Sequence, residues 1–180
     1  MRVLLFGWAG GEATLLVRAR IQGQRTGRDW TYCAIVATVG GAIAAAFPLS
    51  RVHSADLGGG LWAVGAGLAL LALGASLRLW SMVTLGRFFT FRVAIQDEHR
   101  VIDTGPYRFV RHPSYSGLLV ACLGLGIAFA NWLSLAVLVV LPLAGILVRI
   151  RIEERALTAA LGDRYRRYAA GRARLVPGVW

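Results

Sequence analysis

Four apolar segments, each close to the length needed to cross a bilayer, constrain the fold of this chain most strongly. A crossing helix needs roughly 20 mostly apolar residues. The segments cover approximately residues 30–49, 61–85, 116–130 and 132–148. The chain is also 57% hydrophobic, with a mean hydropathy of +0.59, which is more apolar than a soluble domain of this size. We therefore predict an all-α, integral membrane helical bundle of four to five spans.

The last two segments form one continuous apolar stretch, which is too long for a single crossing. Asn131 lies near its middle, so we predict a tight helical hairpin, with Pro142 as a candidate kink in the second arm. A fifth span at residues 3–17 stays open, because the carboxylate of Glu12 would lie within the membrane at a high cost. This segment is either a first crossing or an interfacial helix.

Arginine residues predict the orientation of the bundle. All 20 basic residues are Arg, and the formal net charge is +11. They concentrate in the loop after the second segment and in the tail. The connections on the other side, residues 50–60 and the turn at Asn131, contain only Arg51. The positive-inside rule therefore places the loop and the tail in the cytoplasm, and we expect a multi-pass protein of a bacterial inner (plasma) membrane. Short arginine clusters between apolar stretches do not form a basic domain, so no nucleic-acid partner is expected.

The tail differs from the segments before it. Residues 150–170 keep apolar or aromatic side chains at helical spacing among many charges, which predicts a C-terminal amphipathic cytoplasmic helix, with Gly162 as a possible break. Small residues at Gly117 and Gly124, and at Gly67 in the second segment, predict close helix packing. No linker or repeat divides the chain, so residues 1–180 are expected to form a single membrane domain. Cys33 and Cys122 lie in apolar runs and suggest neither a disulfide framework nor a metal site.

The stretch DTGPYRFVRHPSYSG at residues 103–117 is the first candidate for chemistry. Proline disfavours helical geometry at the residue before it, so we expect an irregular backbone with free amides that face a cavity. His112, next to Arg111, is suited to hold a carboxylate or to titrate. The same stretch also fits an arginine-rich interfacial anchor, with Tyr107 and Tyr115 as aromatic belt residues.

A second candidate follows the last apolar segment directly and consists of Arg149, Arg151, Glu153, Glu154 and Arg155. At helical spacing, ordinary surface ion pairs explain this cluster. Two adjacent glutamates are equally suited to meet a cationic cofactor or to orient its amino group and ribose hydroxyls. Spacing alone leaves both interpretations open.

The two candidates together resemble the isoprenylcysteine carboxyl methyltransferase family, and the phosphatidylethanolamine N-methyltransferases are similar. The resemblance covers roughly residues 85–180, the expected cofactor-binding half. The residues that carry it are Gly105, Pro106, Tyr107, Arg108, Arg111, His112, Pro113, Ser114, Tyr115, Gly117, Glu153, Glu154, Leu157, Leu161, Gly162, Tyr165 and Tyr168. The chain contains no P-loop, dinucleotide fingerprint or zinc-spaced histidine pair, which disfavours a soluble Rossmann-type methyltransferase.

The resemblance implies S-adenosylmethionine as the cofactor at the cytoplasmic face and a lipophilic or lipidated acceptor that enters from the bilayer lipids. Carboxyl O-methylation of an isoprenylcysteine-type substrate is the expected reaction. An arginine before the paired acids is expected to orient the acceptor carboxylate; Arg149 and Arg151 both fit, and Glu153 is the third catalytic candidate. The residues implied to line the cofactor pocket are Tyr107, Arg111, His112, Pro113, Tyr115, Gly117, Glu153 and Glu154.

Three alternatives remain at this stage. An aminolipid N-methyltransferase would need a base to deprotonate its acceptor, and Glu153 or Glu154 is suited to that role. A membrane NADPH-dependent reductase is the second alternative, because sterol reductases combine a membrane cavity with a polar C-terminal half in a similar way. A non-enzymatic membrane protein, such as a small transporter, is the third. Binding of S-adenosylmethionine, of NADPH or of neither separates these classes.

Overall fold

The computed structural model describes residues 30–86 and 101–179 of the chain. Three helices in this part are long and apolar enough to cross a membrane, and a fourth apolar helix has 16 residues. The predicted all-α, multi-pass membrane architecture is confirmed, while the candidate span at residues 3–17 lies outside the described residues. The helices are α1 (Trp30–Leu49), α2 (Gly60–Leu85), α3 (Pro113–Ala128), α4 (Trp132–Leu161) and α5 (Asp163–Ala170), with short 3-10 helices at His53–Ala55 and Gly105–Arg108.

The predicted hairpin forms between α3 and α4, with Asn131 fully buried in the turn. Its side-chain oxygen accepts hydrogen bonds from the backbone N–H groups of Leu133 and Ser134 and so caps α4. Its amide nitrogen donates to the carbonyl of Val52 at 3.0 Å. Asn131 therefore joins the α3–α4 turn to the α1–α2 connection, and the two arginine-poor connections meet at one end of the bundle.

We expect Asn131→Ala to lower the free energy of unfolding by about 2 kcal/mol, because it removes the helix cap and leaves the Val52 carbonyl without its donor. The thermal unfolding midpoint in detergent measures this loss. Ser50→Ala is the matched control, since the Ser50 hydroxyl is exposed and donates to the nearby carbonyl of Phe47. It should change stability by less than about 0.5 kcal/mol. An unchanged midpoint for Asn131→Ala would contradict the joining role.

Helix α4 does not end where the apolar segment ends. The residues from Ile150 onward are helical as predicted, but they continue α4 instead of starting a separate helix. The helix ends at Leu161, and the predicted break, Gly162, follows it with a φ of +54°. Glycine adopts this conformation without steric cost. Helix α5 then packs against α4 and buries Tyr165 and Tyr168.

Helices α2 and α3 pack most extensively, through glycines that face the backbone of the other helix. A Cβ on Gly67 would lie 2.5 Å from the carbonyl oxygen of Gly124, and one on Gly117 would lie 2.6 Å from that of Gly74. The predicted close packing of small residues is therefore confirmed. The approach also brings Arg78 of α2 beside the start of α3.

Helix α1 packs against α4 and completes the bundle. Leu175, in the segment after α5, belongs to the same core and fastens the C-terminal segment onto the bundle. The buried members of this core are Ile35, Val39, Leu118, Cys122, Ile146, Ile150 and Leu175.

Candidate active site

The stretch before α3 is held by the C-terminal segment. The backbone N–H of Arg111 donates to the carbonyl of Ala173 at 2.9 Å, and that of His112 donates to the carbonyl of Arg174 at 3.0 Å. The irregular backbone is confirmed by the 3-10 helix Gly105–Arg108 and by His112, whose φ of −127° and ψ of 57° are neither helical nor extended. The expectation that these amides are free was wrong, because the C-terminal segment supplies carbonyl acceptors for them.

Two contacts fix the position of the 3-10 helix. Gly105 has a φ of +56°, and a Cβ there would lie 3.0 Å from the hydroxyl oxygen of Thr84, so glycine is required for both reasons. The hydroxyl of Tyr168 donates to the carbonyl of Tyr107 at 2.9 Å. The Tyr107 side chain is buried, so its interpretation as an exposed belt residue was wrong. Burial, with the nearby Glu153 charge, raises the pKa of Tyr107 above its ordinary value, so its hydroxyl stays protonated.

Glu154 is the centre of the first charge cluster. Its Oε1 lies 2.7 Å from Nη1 of Arg111 and accepts from Nε2 of His112 at 3.3 Å. Its Oε2 accepts from Nε of Arg174 at 3.0 Å. The Glu154 side chain is only 14% exposed, and charge pairs strengthen when water is excluded. One carboxylate thus joins α4 to the stretch before α3 and to the C-terminal segment.

Two buried polar atoms at this cluster have no hydrogen-bond partner in the described part of the chain. They are Nε of Arg111 and the hydroxyl of Tyr165. An unsatisfied buried group costs about 1–3 kcal/mol, so each of the two atoms is a candidate for a further polar partner. Burial and the nearby Glu154 charge raise the pKa of Tyr165 above its ordinary value. Its hydroxyl therefore remains available as a donor at neutral pH.

A cleft of about 650 Å³ opens beside Glu154. This volume falls within the range of roughly 300–1,000 Å³ that small-molecule sites occupy. Four arginines and one glutamate line the cleft, so its charge is mainly positive and suits an anionic group of a ligand. Its walls are formed by Arg151, Glu154, Arg155, Thr158, Ala159, Gly162, Arg166 and Arg174.

A second cluster surrounds the buried guanidinium of Arg149, a residue that is only 3% exposed. The Tyr115 hydroxyl accepts from Nε of Arg149 at 2.8 Å and donates to Glu153 at 2.8 Å. Nη1 of Arg149 donates to the hydroxyl oxygen of Thr31 at 2.6 Å. The Tyr115 ring also stacks on the His112 ring, with centroids 5.6 Å apart. The two clusters are therefore contiguous.

The structure brings most of the sequence-predicted residues together, but three of them belong to neither charge cluster. Arg151 is exposed and lines the outer cleft. Pro113 is fully buried as the first residue of α3, where its missing N–H costs no helix hydrogen bond. Gly117 lies in the α2–α3 contact, where a Cβ would meet the backbone of Gly74 and Arg78. Its position is explained by helix packing.

Sequence reasoning missed three members of these networks. Arg78 lies within α2, is 8% exposed and donates to the Ser114 hydroxyl at 3.1 Å. An arginine inside a predicted span was a usable signal, because a charge at that depth needs a partner. Nothing in the sequence distinguished Arg174 from the other seven arginines of the tail, and no motif included Thr31.

Comparison with known proteins gives a consistent family match. The model of the isoprenylcysteine carboxyl methyltransferase (ICMT) family matches residues 67–159. Protein-S-isoprenylcysteine O-methyltransferase B of Arabidopsis thaliana is 34% identical over 110 residues, which cover 60% of this chain and 56% of the plant protein. The Schizosaccharomyces pombe protein-S-isoprenylcysteine O-methyltransferase is 34% identical over 103 residues, which cover 56% and 44% of the two chains. The chain thus spans about half the length of the curated relatives it matches.

A solved structure shares the fold. The eukaryotic intramembrane Ras methyltransferase ICMT superposes with a TM-score of 0.62 at 24% sequence identity, covering 86% of this chain and 55% of that one. The residues matched by the family model contain both glutamates, Arg149 and all of α3, whereas Thr31 and Arg174 lie outside them.

Proposed function

Because this chain belongs to the isoprenylcysteine carboxyl methyltransferase family, we propose that it transfers a methyl group from S-adenosylmethionine to the carboxylate of a lipophilic, isoprenylcysteine-type acceptor. The observation that carries this proposal is the buried guanidinium of Arg149, contiguous with the Glu154 cluster through Tyr115 and His112. The buried guanidinium is suited to an anionic acceptor, and the Glu154 cluster adjoins the cleft that we propose for the cofactor. Their contact allows the two reactants to meet.

The residues around Glu154 fit S-adenosylmethionine, which combines a sulfonium, an ammonium, a carboxylate and sugar hydroxyls. The adjoining cleft is lined by four arginines and Glu154, which suits the carboxylate of the cofactor, and the buried Arg111 and Tyr165 atoms lack partners among the described residues. When bound, the cofactor supplies an electrophilic methyl group. We propose that the side chains that hold it are Tyr107, Arg111, His112, Tyr115, Glu153, Glu154 and Tyr165, while Pro113 and Gly117 contribute by fixing the start of α3.

Arg149, and not Arg151, is the proposed partner of the acceptor carboxylate. Water screens a buried guanidinium little, and the planar fork of Arg149 matches the geometry of a carboxylate. Arg151 is exposed, so water screens its charge.

Methyl transfer to a carboxylate mainly requires the protein to align the acceptor with the methyl group. A carboxylate is ionised at neutral pH, so the acceptor needs no base; it needs a fixed position and the exclusion of water. An amine acceptor would need Glu153 or Glu154 to take up a proton. Both carboxylates already accept hydrogen bonds from protein side chains, as orienting groups do. The arrangement therefore favours carboxyl methylation over aminolipid methylation.

We further propose that the end of the bundle with these clusters faces the cytoplasm, which in a bacterium means the inner face of the plasma membrane. The opposite end contains the connections at residues 50–59 and 129–131, where Arg51 is the one basic residue apart from His53. The positive-inside rule favours this orientation.

The test of the proposed function is transfer of a labelled methyl group by the purified protein in detergent. The acceptors compared are N-acetyl-S-farnesylcysteine, its carboxamide and phosphatidylethanolamine. We expect labelling of the carboxylate compound alone. Labelling of phosphatidylethanolamine instead would establish the aminolipid reaction, and labelling of none by a folded protein would contradict the proposal.

Arg149→Lys is expected to lower kcat/KM for the carboxylate acceptor about 100-fold, because lysine keeps the charge but loses the planar fork that positions a carboxylate. Steady-state kinetics with the labelled methyl donor measures this change. The affinity for S-adenosylmethionine should stay within twofold. Arg151→Lys is the matched control and should retain activity within threefold. The reverse pattern would assign the acceptor to Arg151.

A further inference from the structure

The first turn of α1 reaches the guanidinium that is proposed to hold the acceptor. Thr31 is 1% exposed, and its hydroxyl oxygen accepts from Nη1 of Arg149 at 2.6 Å across 118 positions of sequence. Thr31 lies outside the residues matched by the family model. We propose that Thr31 is a positioning residue that sets the plane of the Arg149 guanidinium for the acceptor carboxylate. This inference rests on the proposed function of Arg149.

The geometry of the guanidinium explains why its contacts with Tyr115 and Thr31 matter. A guanidinium is a planar fork, and it recognises a carboxylate through two parallel N–H donors. Nε of Arg149 is held by Tyr115 from α3, and Nη1 is held by Thr31 from α1. Acceptors on two different helices fix two different nitrogens, and therefore the direction of the fork. The Tyr32 ring, 6.0 Å from Cζ of Arg149, lies at the outer limit of a cation–π contact.

The pattern of α1 shows that the hydroxyl is not explained by packing alone. The buried residues of α1 form one stripe at helical spacing: Thr31, Ile35, Val39, Ala42 and Ala46. Four of the five are apolar, and Ile35 and Val39 belong to the core shared with α4. Valine has the shape of threonine and would continue the apolar stripe. Thr31, the polar residue of this stripe, is the one that contacts Arg149.

Thr31 and Arg149 lie on helices that are packed tightly enough to fix the orientation of the guanidinium plane. Ile35, one turn after Thr31, packs in the same core as Ile146 and Ile150 of α4, which flank Arg149 in sequence. The donor and acceptor thus stand on two helices fixed against each other by buried side chains. A displacement of the guanidinium by about 1 Å would misalign the fork with the acceptor carboxylate.

The test compares binding of N-acetyl-S-farnesylcysteine and its carboxamide, with S-adenosylhomocysteine present so that no methyl group is transferred. The ratio of the two Kd values measures recognition of the carboxylate apart from recognition of the lipid. We expect Thr31→Val to lower this ratio at least tenfold and Thr31→Ser to keep it within threefold of wild type. The Kd of the carboxamide and of S-adenosylhomocysteine should change less than twofold in both variants.

The outcomes separate the inference from the proposed function. If Thr31 served folding alone, Thr31→Val would weaken both acceptor compounds together and leave the ratio unchanged, which would overturn the inference. If the wild-type protein itself bound the two compounds equally, the role of Arg149, and with it the proposed function, would fail. Should Thr31→Val not yield a monodisperse protein, the same ratio for Thr31→Ala against Thr31→Ser decides: equal ratios reject the positioning role.

Discussion

Replacement of Glu154 by glutamine is expected to weaken the binding of S-adenosylmethionine at least about 100-fold, which corresponds to roughly 2.7 kcal/mol. The Glu154 carboxylate organises three side chains from two other segments: Arg111, His112 and Arg174. Hydrogen bonds to charged groups contribute about 1.5–3 kcal/mol each. Glutamine keeps the size of the side chain but removes the charge that holds two arginines side by side.

Calorimetric titration of the detergent-solubilised protein measures this effect, with Glu154→Ala as a second variant. Asp163→Asn is the matched control, because Asp163 pairs with Arg166 at 3.2 Å while both side chains are largely exposed. A surface pair of this kind contributes little, so the control should bind the cofactor like the wild-type protein. Binding by Glu154→Gln within threefold of wild type would show that the cofactor does not lie at this cluster.

The same titration also tests the alternatives to a methyltransferase. If the folded wild-type protein bound no S-adenosylmethionine, the proposed function would be contradicted. Binding of NADPH would then point to a reductase, and binding of neither ligand would point to a protein with no enzymatic role. The cofactor assay therefore separates the three classes without knowledge of the acceptor.

Gly74→Ala is expected to destabilise the bundle by about 3 kcal/mol, an effect opposite in sign to the one that helix propensity predicts. Alanine favours a helix over glycine by about 1 kcal/mol. At Gly74, however, a Cβ would collide with the backbone nitrogen of Ala121 and lie 2.5 Å from the carbonyl oxygen of Gly117. Backbone atoms cannot move aside as flexible side chains do, so α2 and α3 would have to separate, at a cost typical of an overpacked core.

Gly65→Ala provides the matched control in the same helix. No atom lies within 4 Å of a Cβ built on Gly65, so the propensity gain should appear there as unchanged or slightly raised stability. Thermal unfolding midpoints in detergent compare the two variants. Equal midpoints would contradict the close approach of α2 and α3, which also sets the position of Arg78 beside Ser114.

The sequence predicts the membrane-spanning architecture well, because the rules that govern it are local. A segment in lipid must satisfy its backbone hydrogen bonds within itself, so length and hydropathy alone predict helices. The α1 bounds match the predicted segment, and the α3–α4 hairpin turns at Asn131 as predicted. The break at Gly162 was also readable, since glycine after a helical pattern favours a stop.

The candidate site was only partly readable from the same sequence. The motif resemblance identified the stretch around His112 and the two glutamates, and the structure brings them into contact. It did not identify Thr31 or Arg174, because their partners lie on distant segments and no local spacing marks such a contact. The free amides expected at His112 were wrong for the same reason: their acceptors belong to residues more than 60 positions away.

The tertiary structure alone decided which way each of these side chains faces. Arg149 and Arg151 are the same residue type and lie only two positions apart. Because each helical residue turns by about 100°, however, their side chains point about 200° apart around the helix. The packing of α4 against α1 and α3 directs Arg149 inward, to Thr31 and Tyr115, and leaves Arg151 exposed. The sequence by itself determined which segments become helices and cross the membrane, since each does so by its own hydropathy. The contacts between helices determined which residues share a site, because the buried face of a helix depends on its neighbours.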